Sequence, residues 1–242
     1  PGLAATFTPG DYYTYPPVHL ALVALLTLPA TGLAVVRAGS THVPAVVQEI
    51  LQAPYMTAFS LVARVLALLM SLGIAIALAK LAEEIGSHEP DRARRAGAFT
   101  AAVASAGVCF TYYSHTSNLD VPALFWGSLG ALELVRAIVR HEPRRLRRAA
   151  ALAAVAVATK DQAYALFLVS GPLLLGGWAA WDPWPRANAR RVVREIAVAA
   201  AVGVILVLVL DGAVVNPSGF RARLAFLGGP ASQDFSSYSR SV

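Results

Sequence analysis

The chain has 242 residues, 57% of them hydrophobic and only 14% charged, with a mean hydropathy of +0.58; a soluble domain carries about 25% charged residues. The net charge of +6 would suit a nucleic-acid partner, but 13 of the 20 Lys and Arg fall in three short stretches, 86–95, 136–148 and 182–194, each lying between apolar runs. That is how cytoplasmic loops of a multi-spanning membrane protein are marked, so a soluble bundle and a nucleic-acid binder are both excluded.

Residues 1–17 are rich in Pro, Gly and Tyr and contain no basic residue. An apolar segment follows at 18–37, then "HVPAVVQEILQAPY", which reads as an amphipathic helix lying in the membrane interface. Further apolar segments occupy 57–82, 96–113, 120–139, 149–160, 162–180 and 195–211. A hydrocarbon core of about 30 Å takes about 20 helical residues, so 149–160 is too short to span alone. The segment 195–211 is β-branched, yet in a membrane it must be a helix, because an isolated strand leaves its backbone groups unpaired. The expected fold is all-α, a polytopic transmembrane helical bundle of about six to seven apolar segments. One transmembrane domain is expected over 1–242: an outer-face or juxtamembrane part (1–56), the bundle core (57–212), and the start of an outer-face loop (213–242).

With the three basic loops on one side, the segments from 57 onwards alternate direction. The 113–120 join, the 160–162 join, the tail after Gly212 and the start of 57–82 then share the outer face. If 1–17 is also outside, 18–37 cannot be a simple crossing and must dip, lie flat or re-enter. No signal peptide is visible, and the start at Pro1 with the polar end at Val242 reads as an internal fragment. Arginine outnumbers lysine 18 to 2, which points to a GC-rich bacterial source and hence an inner, cytoplasmic membrane. The single Cys109 lies in an apolar run and supports neither a disulfide nor a cysteine-based metal site. His19, His42, His88 and His141 show no metal-ligand spacing.

The outer ends of the segments gather polar residues: His115, Asn118, Asp120, Lys160, Asp161, Asn216 and Arg221, with Asp11, Tyr12, Tyr13 and Tyr15 upstream. Carboxylates, cations and aromatics at a membrane surface suit a substrate that is half lipid and half polar head. Cations hold a phosphate, and a carboxylate takes a proton from an incoming hydroxyl. Each residue also has a structural reading. Asp120 before Val121-Pro122 fits a helix N-cap; Lys160 can neutralise Asp161 or snorkel; Arg64 can pair with a neighbouring carboxylate. Trp178, Trp181 and Trp184 read as an interfacial aromatic belt.

In order along the chain, "YTYPPVHLAL", "VARVLALLMSLGIAIALAK", "YYSHTSNLDVPALFWGSLGALEL", "AVATKDQAYAL" and "NPSGFRARLAFLGGP" resemble motifs of bacterial GT-C glycosyltransferases. The branch resembled is the protein O-mannosyltransferase-like and aminoarabinose-transferase-like one. The resemblance implies a membrane enzyme whose site faces the periplasm or cell exterior. It would transfer a sugar from a polyprenyl-phosphate carrier to a hydroxyl of a protein, lipid or glycan. It implies family counterparts for Asp120, Lys160 and Arg64, with Asp120 and Lys160 as the catalytic residues; with the outer-face reading, the substrate-binding candidates are Asp11, Tyr15, Arg64, His115, Asn118, Asp161, Asn216 and Arg221. It implies no protein metal ligands and no cofactor beyond the lipid-linked sugar, with a divalent metal left open. The family's paired acidic residues, before the Pro-Pro element, have no match in 1–17, where Asp11 stands alone, so the general base is expected upstream and this stretch alone is expected to be inactive. The alternative reading is a transporter or lipid flippase subunit with Asp120, Lys160 and Asp161 lining a path. Inverted repeats would mark one, and 57–140 and 149–211 share no internal similarity. A third is a non-catalytic membrane scaffold.

Overall fold

A computed structural model describes residues 16–107, Tyr112 and 118–229. All regular structure among these residues is helical: α1 Val18–Leu26, α2 Leu28–Ala38, α3 Val43–Ile50, α4 Ala53–Ile85, α5 Pro90–Ala106, α6 Asp120–Val139, α7 Arg145–Val157, α8 Tyr164–Trp181, α9 Pro183–Ala187, α10 Ala189–Leu210 and α11 Pro217–Gly228. A 3-10 turn at Asp161–Ala163 leads into α8. Among the described residues four helices are long and apolar enough to cross a membrane: α4, α6, α8 with its leading turn, and α10. Of the seven apolar segments, 96–113 and 149–160 yield helices below that length. Arg92, Arg94 and Arg95 occupy the first turns of α5, and α7 has only 13 residues, about 20 Å.

Segment 18–37 is broken, with α1 and α2 meeting at 61°. The cause is local. Pro29, at the second position of α2, has no N–H and crowds the carbonyl four residues back, while Thr27 Oγ1 donates to Val23 O at 2.9 Å. Val18 N donates to Ala158 O (3.1 Å), so α1 starts beside the C-terminal end of α7. The helix pair and α3 then lead to the start of α4, whose other end carries Glu84. The bent pair has the geometry of a broken span or of a re-entrant loop.

The core is a chain of helix pairs, α5 on α4, α4 on α6, α6 on α7 and α7 on α10. One cluster joins Leu134 and Ala137 of α6, Leu146 and Ala149 of α7 and Ala199 of α10. Another joins Met70 and Ile74 of α4 to Val121 of α6, with Leu22 of α1 against them. Small residues let the backbones approach, as membrane packing requires. On α5, a Cβ added at Gly97 would lie 3.0 Å from Ala79 O and 2.9 Å from Glu83 Cγ. Only glycine lets α5 lie this close to α4. Elsewhere large apolar side chains face outward, such as Leu173 on α8 and Val204 on α10, the surface a lipid solvent demands.

Candidate functional site

Among the described residues, charged side chains gather mainly toward the two ends of the long apolar helices. At one end the basic stretches meet. Glu84 of α4 binds Arg136 (3.3 Å) and Arg140 (2.8 Å to Nη2). Glu133 accepts from Arg136 and Arg145, and fully buried Glu195 of α10 is held by Arg147 of α7 (2.6 and 2.9 Å) and Arg194. His141, in the left-handed region (φ 55°), places Nε2 2.6 Å from Asp182 Oδ2 and stacks on Trp184 at 4.9 Å. Trp178 donates to the same carboxylate (3.2 Å) and stacks on Trp184. The hydrogen bond from His141 and the Trp184 backbone N–H hold the Asp182 carboxyl below the usual carboxylate range. Trp178 and Trp184 are thus part of a clamp between the α6–α7 turn and the α8–α9 turn, a correction to their reading as belt residues; exposed Trp181 keeps that reading.

The opposite end holds the cluster singled out in the sequence. Asp120 is the first residue of α6 and not its N-cap. That work falls to Asn118, whose Oδ1 accepts from Asp120 N at 3.2 Å. The Asp120 carboxylate is left free for another partner, and it pairs with Lys160 Nζ. Lys160 lies in extended backbone between α7 and the 3-10 turn, where Ala163 N donates to its carbonyl (3.0 Å) and fixes the bend. Its neighbour Thr159 is fully buried. Lys160 therefore neutralises Asp120, not Asp161.

Asp161 pairs instead with Arg223 of α11, a guanidinium only 2% exposed. Arg223 Nη1 also faces Asp211 Oδ1 at 3.9 Å, and Asp211 follows the last residue of α10. Burial, reinforced by Asp161 and opposed by Arg223, pushes the Asp211 carboxyl up to about 6. So α6, α7, α8, α10 and α11 each bring a charged end to one place. Asn216 Oδ1 accepts from Gly219 N (3.0 Å) and Ser218 Oγ (2.9 Å), so its side chain starts α11.

Arg221, the cation expected here, is exposed, and Arg223 occupies the interior. Two positions along a helix differ by about 200° around its axis, so they face opposite ways. Arg64 is exposed on α4 and has no ion pair among the described residues. Asp11, Tyr12, Tyr13, Tyr15 and His115 lie outside the described residues, as does Cys109. Sequence reasoning missed Asp211 and Arg223. The signal for the first was a carboxylate ending a long apolar run. For the second there was no decisive signal: the Asn216-Pro217 helix start separates Arg221 and Arg223 onto different faces without saying which meets the bundle. His19, also missed, is buried at the start of α1 beside this end, with Nδ1 unpaired among the described residues.

No group of three or more His, Cys, Asp or Glu able to hold a metal occurs among the described residues. No family model matches the chain, and neither a curated protein nor a solved structure matches it. The chemistry of the site therefore rests on its own residues.

Proposed function

We propose that the chain is part of a membrane glycosyltransferase of the GT-C type. It moves a sugar from a polyprenyl-phosphate carrier to a hydroxyl of a protein, lipid or glycan on the non-cytoplasmic side of a bacterial inner membrane. The observation that supports this most is the Asp120–Lys160 pair at the membrane end opposite the three basic stretches. Arginine-rich ends are typical of the cytoplasmic side, and the pair's position at the other end supports a site facing outward.

In this reading a carboxylate takes the proton of the acceptor hydroxyl while its oxygen bonds to the anomeric carbon. The carbon–oxygen bond to the lipid phosphate breaks and that oxygen leaves with the electron pair. Lys160 and Arg223 are the cations placed to receive the growing negative charge. In a water-poor site such stabilisation is worth about 10²–10³-fold. Each is held by a carboxylate, so an arriving phosphate competes with Asp120 for Lys160 and frees that carboxylate to position the sugar. The general base is proposed to lie in residues upstream of those described.

The test is Lys160→Ala in the full-length protein, with transfer measured at saturating donor. The turnover rate is expected to fall about 100-fold or more, with Lys160→Arg recovering part of it. Unchanged turnover removes Lys160 from the mechanism and with it the main support for the reading.

A further inference from the structure

The stretch "DPWPRANARRVVRE", residues 182–195, carries four arginines and two carboxylates. Neither carboxylate is spare. Asp182 is held by His141 and by the Trp184 backbone N–H, and buried Glu195 by two nitrogens of Arg147. Arg194 reaches Glu195 Oε1 through Nη2 alone (3.2 Å). Arg190 and Arg191 are exposed and have no ion pair among the described residues. The first turn of α10 has no acidic residue. Positive charges therefore stand three and four residues apart with nothing to relieve them, which works against the helix until an anion arrives.

Helical spacing gathers these charges on one side. At about 100° per residue, Arg190, Arg191 and Arg194 fall within about 100° of arc, and with Asn188 they line a concave surface of about 820 Å³. The same side then turns apolar. Ala197, Ala201 and Ile205 follow Arg190 and Arg194 at steps of three and four residues, and all three are exposed. From Arg194 to Ile205 the row runs about 16 Å at 1.5 Å per residue, roughly half of a hydrocarbon core of about 30 Å. Trp181, 87% exposed at the end of α8, stands at the same corner, since α9 touches both α8 and α10. A tryptophan so placed marks the level of the lipid headgroups.

We propose that this face of α10 binds one anionic phospholipid of the leaflet at the arginine-rich end, its phosphate on Arg190, Arg191 and Arg194 and an acyl chain along Ala197, Ala201 and Ile205. The inference stands apart from the transferase reading. Guanidinium forks match phosphate oxygens in pairs. A soluble phosphate or a nucleic acid would use the arginines and leave the apolar row untouched. A row one leaflet long, directly beneath the cations, suits a molecule with head and chain in that register. The arginines of α5 lack this build. Arg92, Arg94 and Arg95 are spread over about 160° of arc, and Arg92 faces Glu89 at 3.6 Å.

The experiment is native mass spectrometry of the full-length protein in detergent with three probes. Two are phosphatidylglycerol and phosphatidylcholine of the same acyl chains; the third is glycerophosphoglycerol, the anionic headgroup without chains. The first phosphatidylglycerol bound is expected to be held about tenfold or more tighter than the first phosphatidylcholine, and the headgroup alone is expected not to bind. Arg190→Gln, Arg191→Gln and Arg194→Gln are each expected to weaken that phosphatidylglycerol about fivefold, and all three together about 100-fold, while phosphatidylcholine changes less than about twofold. The control is Arg92→Gln, Arg94→Gln and Arg95→Gln combined, which removes the same charge from the same end and is expected to weaken phosphatidylglycerol less than about twofold. Should the α10 triple variant fail to insert or fold, its three single variants carry the test. Equal weakening by the α5 and α10 triple variants overturns the assignment, because charge in general and not this face would then hold the lipid. Binding of the headgroup alone as tightly as the whole lipid overturns it in favour of a soluble phosphate. Phosphatidylglycerol held no better than phosphatidylcholine, or unaffected by loss of Arg190, Arg191 and Arg194, overturns it outright.

Discussion

The two charged ends of the bundle are built from the same residue types and are organised differently. At the arginine-rich end each buried carboxylate has more than one guanidinium: Glu84 has two, Glu133 two and Glu195 two. Forked arginines meet carboxylates in pairs of parallel bonds, which fixes helix to helix and uses up those carboxylates. At the other end, among the described residues, Lys160 has a single carboxylate and Asp211 Oδ1 is buried without a hydrogen bond. Lysine is a point charge on a flexible stem, easily transferred to another anion. Arg223 is held between Asp161 and Asp211, so in the proposed reading it is Lys160 that marks this end as the working one.

Five substitutions break or sharpen that contrast. The largest effect is expected from Lys160→Ala, about 100-fold or more in turnover, with the melting temperature moved by a few degrees at most. A fall in stability of the same size as the fall in turnover would make the two ends alike. Next is Asp211→Asn. The folded carboxyl titrates near 6, above its ordinary 3.8, so the native state binds a proton the unfolded chain has already lost. The group's favourable contribution is complete below about pH 4 and disappears as pH rises through 6, a loss of up to about 3 kcal/mol. Wild-type protein should therefore melt higher at pH 5 than at pH 7.5, and the variant should show a smaller difference and a higher midpoint at pH 7.5. A slope identical in both would remove Asp211 from the pH response.

Third is Glu195→Ala at the fastened end. It removes three charge-assisted hydrogen bonds and is expected to cost about 2–3 kcal/mol, partly screened because Arg147 is 43% exposed. Scanning calorimetry of detergent-solubilised protein reads this, and specific activity of the folded fraction should be unchanged. Smallest is Arg221→Ala, expected to alter turnover less than twofold while Arg223→Ala lowers it strongly. Reversal of that order would restore the sequence-based assignment.

Much of the architecture was legible in apolar run length and arginine placement, because both answer directly to the solvent a segment faces. Pairing partners were not. Asp120 looked like a helix cap because Val-Pro follows it, yet Asn118 two residues earlier does the capping and so frees Asp120 to reach a lysine 40 residues away. Arg221 and Arg223 differ only in which side of α11 meets the bundle, a matter of tertiary docking that periodicity leaves undecided. The break in 18–37 was readable in principle from Pro29, but hydropathy alone runs across it.

The length of α4 carries one more consequence. At 33 residues it measures about 50 Å against about 30 Å for α6, and Glu84 ties its far end to Arg136 and Arg140. The surplus lies toward the end opposite Glu84, and α1, α2 and α3 touch α4. Thinning or thickening the surrounding lipid alters the tilt of the long rod more than that of the short one. In a bilayer, a change of thickness is thereby expected to reach the short helices α1, α2 and α3 through the end of α4 that they touch.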